Sequence, residues 1–158
     1  MSDERVPITP QGLARLEEEL LKLKDERPLV IKAIGEARAL GDLSENAEYH
    51  AARERLGFIE GRIQYLEGLI SRAEVIDPSK MAGSVVRFGA TVTLMDLDKD
   101  EELVYQLVGD VESDIDHGRV SVKAPLARAL IGREEGDEVE FKAPAGVRHF
   151  VIQKVEYK

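Results

Sequence analysis

Two apolar stripes of equal length, with a short turn segment between them, constrain this chain more than any other feature of it. Leu13, Leu16, Leu20, Leu23, Arg27, Val30, Ile34 and Ala37 step alternately by three and four, with Arg27 the one polar member. Tyr49, Ala52, Leu56, Ile59, Ile63, Leu66, Ile70 and Ala73 repeat the rhythm. Such spacing places a narrow seam along one side of a helix, and a narrow seam is stable only against another helix. Between the stripes lies Leu40-Gly41-Asp42-Leu43-Ser44, which is long enough only for a reversal, so the arms are predicted to pack as an antiparallel coiled-coil hairpin. At a rise of 1.5 Å per residue each arm reaches roughly 40 Å. Thr9-Pro10 supplies an N-cap and the proline favoured at the first helical position. Pro28 is expected to kink the first arm near residue 27.

Beyond Asp77-Pro78 the period changes. Short β-rich runs occupy 85–94, 103–108, 119–122, 138–142 and 147–155, and alternation such as Thr91-Val92-Thr93-Leu94 marks strands with one wet face. Asp98-Lys99-Asp100 and Pro144-Ala145-Gly146 carry turn residues. Pro125 opens, and Gly132 stops, one short helix. The predicted fold is thus a two-domain α and α+β chain: a coiled-coil hairpin over 1–77, a linker over 78–84 with Met81-Ala82-Gly83-Ser84 as its hinge, and a small twisted antiparallel sheet with a short helix over 85–158. A chain of 158 residues has room for no more than this.

Composition then removes whole classes of function. There is no cysteine, so disulfides, thiolate metal sites and thiol catalysis are excluded. The opening Met-Ser-Asp-Glu-Arg-Val-Pro has neither the basic nor the apolar region of a secretory signal, and no run approaches a membrane span; a soluble cytoplasmic protein without membrane partners is expected. A net charge of −9 opposes autonomous binding to DNA, so any nucleic-acid contact must be local or made through a partner. Phosphate-binding glycine loops, nucleophile elbows and the H-E-x-x-H zinc motif are missing. His50, His117 and His149 lie apart with no metal-ligand spacing. A self-contained enzyme site is not predicted.

One segment concentrates chemistry: Gly41-Asp42-Leu43-Ser44-Glu45-Asn46-Ala47-Glu48-Tyr49 puts Asp42, Glu45 and Glu48 at the far end of the hairpin. Two readings stand. In the first, Asp42 is the N-cap of the second arm and Glu45 completes a capping box, where acidic groups also suit the helix dipole. In the second, carboxylates at i and i+3 astride a turn converge on a hard cation; Mg²⁺ takes only one or two protein carboxylates and draws its other ligands from water and substrate phosphates. The tip would then be half of a site, completed by a partner. Arg38, Arg53 and Arg55, one to three turns below, either form ion pairs along the helices or present positive charge to a nucleic acid strand.

The run 41–53 together with Ile8-Thr9, Arg27-Pro28, Gly61-Arg62-Ile63, Phe88-Gly89-Ala90-Thr91-Val92, Val108-Gly109-Asp110 and Val155-Glu156-Tyr157 resembles the bacterial Gre transcript cleavage factors, the GreA/GreB family, over nearly the whole chain. The net acidic hairpin places it with the more acidic branch. The resemblance implies that the hairpin enters the secondary channel of RNA polymerase while an FKBP-like C-terminal domain docks at the rim. It implies stimulated cleavage of the 3′ end of backtracked nascent RNA, with the polymerase as the enzyme and this chain its helper. By resemblance Asp42 and Glu45 assist the polymerase metal, with Leu43, Ser44, Asn46, Glu48 and Tyr49 as tip neighbours. Arg38 and Arg53 fall in the basic patch that meets RNA, to which the charge pattern adds Arg55. No cofactor is expected on the isolated chain, only Mg²⁺ shared with the polymerase, and nucleoid association only through it. The alternative within the family is an inhibitor that fills the channel without aiding cleavage. Two departures stand out: Arg87 inside the first predicted strand, and the basic Val147-Arg148-His149.

Overall fold

The computed structural model describes residues 4–42 and 45–158, so Leu43 and Ser44 of the predicted tip lie outside the described residues. By Cα proximity the chain divides into two units, one holding Glu4 and Leu13–Ala73, the other Arg5–Gly12 and Glu74–Lys158.

The first unit is the hairpin, with arms α1 (Pro10–Arg38) and α2 (Ala47–Ser71). Every apolar member of the first stripe is buried or half-buried, while Arg27 is exposed and reaches Glu60 of α2 at 3.5 Å. Ile59 and Leu66 of the second stripe are fully buried, joined by Leu69, which the three-four rhythm passes over. A helix turns 3.6 residues at a time, so a seam drifts and takes in a flanking residue. Pro28 does not end α1; the proline costs one backbone hydrogen bond, which a 29-residue helix packed along its length absorbs. Ion pairs flank the seam. Arg62 grips Glu19 at 2.7 and 2.9 Å and Arg55 grips Glu26 at 2.7 and 2.6 Å, each a two-bond fork between arms.

The second unit is built on a five-stranded sheet, ordered β5 (Arg119–Ser121), β4 (Glu101–Val108), β3 (Thr91–Asp96), β7 (Gly146–Glu156) and β6 (Glu138–Ala143). Helix α3 (Pro125–Leu130) lies against it, burying Ala127 and Leu130 with Val92, Leu94, Leu107, Phe150 and Ile152 in one core. The expected antiparallel pairing holds for β3 with β4, β3 with β7 and β6 with β7. It fails at the edge, where β5 runs parallel to β4; the chain between them carries two 3-10 turns, Asp110–Glu112 and Ile115–His117, enough for a crossover instead of a hairpin.

The first strand begins at Thr91, not at residue 85, because Gly89 takes a φ of +87° and turns the chain. Arg87 therefore interrupts no strand. Its backbone N–H donates to the Tyr157 hydroxyl at 3.0 Å and its guanidinium lies 5.3 Å from that ring. Arg148 is likewise accounted for: it pairs with Asp96, a fully buried carboxylate on the core-facing side of β3 that also accepts from the Asp98 and Lys99 N–H groups.

Two short strands escaped the sequence pattern, β1 (Val6–Ile8) and β2 (Ala73–Val75), which pair in a sheet of their own. Beside them the N-cap prediction is met. Thr9 Oγ1 accepts from Gly12 N–H at 3.0 Å and donates to the buried Glu112 carboxylate at 2.5 Å, and the same carboxylate takes the Thr9 N–H at 2.8 Å. A Cβ on Gly12 would run into Glu112, so this close approach requires glycine.

Candidate functional site at the hairpin tip

Arms that end together must exchange their last backbone bonds for something else, and at this tip Asn46 supplies it. Asn46 is the N-cap of α2: its Oδ1 accepts from the Tyr49 N–H at 3.0 Å. Its Nδ2 donates to the Ala37 carbonyl at 2.6 Å, tying the start of α2 to the end of α1. The side chain thus serves a stranded N–H of one helix and adds a second bond to a C=O at the end of the other, which also accepts from the Leu40 N–H at 3.1 Å. Gly41, at a φ of +127°, gives the chain the left-handed turn between them. Sequence reasoning had Asn46 only as a motif neighbour, although an asparagine directly before a helical run is a capping signal.

The capping-box reading of Asp42 and Glu45 is therefore overturned for α2. Both carboxylates are exposed, and three residues of separation keep their Cα atoms within about 11 Å. Glu48, in the first turn of α2, is exposed as well. Two exposed carboxylates suit a hard cation that retains much of its water. Among the described residues no group of three or more metal-binding side chains is assembled.

One turn below, Tyr49 gathers the basic residues. Arg53 Nη1 donates to its hydroxyl at 3.3 Å, with the guanidinium 5.9 Å from the ring centre. The influence of Arg38, at the last turn of α1, is the main reason the phenol titrates below its ordinary range, partial desolvation opposing it and the charge of Arg53 adding to it. His50 meets the ring in an edge-to-face arrangement, centroids 5.5 Å apart. Among the described residues neither Arg38 nor Arg53 is paired with a carboxylate. Arg55 does not join them: it is held by Glu26 and lies over Phe58, 5.0 Å from the ring centre. The predicted trio of arginines is thus a pair without carboxylate partners, one of them bonded to Tyr49, and a third residue already satisfied by Glu26.

No helix among the described residues is long and apolar enough to cross a membrane.

Family models match both parts of the chain: an N-terminal transcription elongation factor domain over residues 6–75 and the C-terminal domain of GreA/GreB elongation factors over residues 81–157. The chain is 58% identical over 156 residues to the transcription elongation factor GreA of Hyphomonas neptunium, covering 98% of this chain and 99% of that one. It is 57% identical over 155 residues to the GreA of Ruegeria pomeroyi, with the same coverage. Among solved structures, the GreA factor homolog Gfh1 of Thermus thermophilus aligns with 97% of this chain and 99% of its own at 28% identity and a TM-score of 0.45. The family assignment rests on the sequence matches.

Proposed function

This chain belongs to the GreA/GreB family of transcription elongation factors, and from that premise we propose that it acts on RNA polymerase, placing its hairpin tip in the secondary channel and stimulating cleavage of the 3′ end of backtracked RNA. The observation that carries this reading is the exposed pair Asp42 and Glu45 at the hairpin tip, neither of which is the N-cap of α2, a place taken by Asn46.

On this reading Asp42 and Glu45 would hold a Mg²⁺ ion shared with the polymerase. Such an ion supplies an activated water and neutralises charge on the phosphodiester. The chain's own residues do the rest. The seam keeps α1 and α2 in register, and the Asn46 tether to Ala37 fixes the last turn, so the carboxylates arrive on a stiff support instead of a frayed end. Arg38 and Arg53 lie one turn back with positive charge unspent, placed to bind the strand whose end is cut. The polymerase remains the enzyme; this chain contributes ligands and position.

The test adds the protein to a stalled, backtracked polymerase complex with Mg²⁺ and follows RNA length. The unmodified chain should shorten the transcript, and the pair Asp42→Asn with Glu45→Gln should bind without shortening it. Cleavage retained in that double variant would overturn the assignment. Binding by the unmodified chain with transcription blocked and no cleavage would establish the channel inhibitor instead.

A further inference from the structure

Helix α2 carries a second three-four seam. Glu54, Phe58, Gly61, Tyr65, Gly68 and Arg72 each stand two residues beyond a member of the core stripe. Two residues are about 200° of helix, so this seam runs along the side turned away from α1. The outermost positions of a two-helix coil ordinarily carry charge. Here the middle of the seam is aromatic rings and glycine, and Phe58 and Tyr65 are 56% and 51% exposed.

The rings are held in place. Arg55 lies 5.0 Å from the Phe58 ring centre and Arg62 lies 5.2 Å from that of Tyr65. Glu26 and Glu19 fix and neutralise these two arginines, so they bring no net charge to the seam. Between the rings is a notch of about 450 Å³ at Gly61. At the ends of the seam the charges are unspent. Glu54 is exposed and has no ion-pair partner among the described residues. Arg72 donates only to backbone, the Gly68 and Glu4 carbonyls at 3.2 and 3.3 Å.

We propose that this face of α2 pairs with the same face of a second copy of the chain, antiparallel, about a two-fold axis level with Ile63. Room beside a glycine selects no occupant; the order of the residues does. In that register Glu54 faces the partner's Arg72, Phe58 faces the partner's Gly68 and Gly61 faces the partner's Tyr65, each contact occurring twice. A two-fold contact requires a surface that is its own complement. This seam is one: read backwards, negative meets positive and every ring meets a glycine, which lets the helices approach closely. Sliding one copy by a heptad in either direction separates Glu54 from Arg72. The seam is about 27 Å long, and one helix pair of that length buries less than the roughly 1,200 Å² of a standard interface. A net charge of −9 on each copy also opposes the pairing. The dimer is therefore a weak one, with a Kd on the order of 10–100 μM.

The experiment is sedimentation equilibrium of the full-length chain from about 1 μM to about 500 μM in about 0.15 M salt, where the long-range repulsion is screened. A monomer–dimer equilibrium is expected. Glu54→Arg and Arg72→Glu should each weaken it at least about tenfold, because each sets like charges face to face twice. An equimolar mixture of the two variants should recover the affinity, since every like-charge contact then becomes an opposite one. Gly61→Leu should fill the notch and weaken pairing by a similar factor without lowering the melting temperature, leucine being the better helix former. The chain has no cysteine, so Glu54→Cys with Arg72→Cys adds the only thiols. Within one chain they are too far apart for a disulfide, and oxidation should yield a covalent dimer. A monomer throughout the concentration range would overturn the proposal. So would a dimer indifferent to Glu54→Arg and Gly61→Leu, or variants that fail to rescue each other on mixing.

Discussion

The hairpin and the sheet are stabilised in opposite ways, and each way matches what the unit carries. In the sheet unit the apolar side chains close on themselves: Val86, Ala90, Val92, Leu94, Leu107, Ala127, Leu130 and Ile152 have no exposed surface at all. Its buried polar groups are fastened inside, Asp96 to Arg148 and Glu112 to Thr9 and Gly109. In the hairpin the core is a line only one side chain thick, with cross-arm ion pairs along its edges and no third layer. A line can be long without being wide. That is the shape required to bring charged groups to a narrow place, and it leaves Asp42, Glu45, Arg38 and Arg53 in solvent because nothing is left to cover them.

The sharpest way to break this contrast is to separate chemistry from stability at the tip. Asp42→Asn with Glu45→Gln should lower stimulated cleavage by about 100-fold or more, the loss of several kcal/mol of charge stabilisation, while the melting curve stays unchanged. A large drop in melting temperature would mean that the carboxylates help hold the tip together.

Truncation of the two cores comes next. Leu94→Ala in the sheet and Leu66→Ala in the hairpin each remove a fully buried leucine, and each should cost about 2–5 kcal/mol. The sheet variant belongs at the upper end, because a closed core cannot collapse into the space, whereas a helix pair can draw together. Residue-resolved hydrogen exchange distinguishes the units: each variant should accelerate exchange mainly in its own. Uniform acceleration in both would show that they unfold as one.

A smaller effect is expected at the base of α1. Glu112→Ala strands the Thr9 N–H and hydroxyl and the Gly109 N–H, which the carboxylate now satisfies; the expected cost is about 1–3 kcal/mol, read by denaturant unfolding. Thr9→Ala should cost less, since one cap and one bond are lost. If Glu112→Ala is neutral, water has replaced those bonds.

How far the sequence spoke depended on the same contrast. The hairpin was legible nearly residue by residue, because a three-four seam over some twenty-five residues has few other interpretations; Leu69 alone among its buried residues fell off the pattern. The sheet was legible in its strands but less in their boundaries and pairing. Gly89 delayed the start of the predicted first strand to Thr91, and the parallel β5 edge depends on a crossover that period-two alternation does not report. Strands β1 and β2, three residues each with Pro7 inside the first, are too short to carry a period. At the site, residue types and positions were visible, while partners were not. Arg55 and Arg53 look alike in sequence; only the facing helix shows that one has Glu26 and the other does not. Asn46 was present as a capping signal and was outweighed by the acidic residues before it.

The smallest expected effect sharpens the comparison in the pH direction. Hydrogen bonding from Arg62 holds Glu19 below the usual carboxylate range, desolvation working against it, and Arg55 does the same to Glu26. A folded value below the unfolded one contributes stability that is fully present above the ordinary pKa of 4.5 and is lost as the pH falls through the folded value. Both pairs are substantially exposed, so screening limits each: the Glu19–Arg62 fork is worth about 0.5–1 kcal/mol. Glu19→Gln with Glu26→Gln should therefore lower the hairpin melting temperature by a few degrees at pH 7. That gap should shrink as the pH drops below 4.5, and also in 1 M salt. The sheet should show no such narrowing, since neither pair lies in that unit. A gap that persists at pH 3 would mean that the glutamates stabilise the arms by packing their stems and not by their charge.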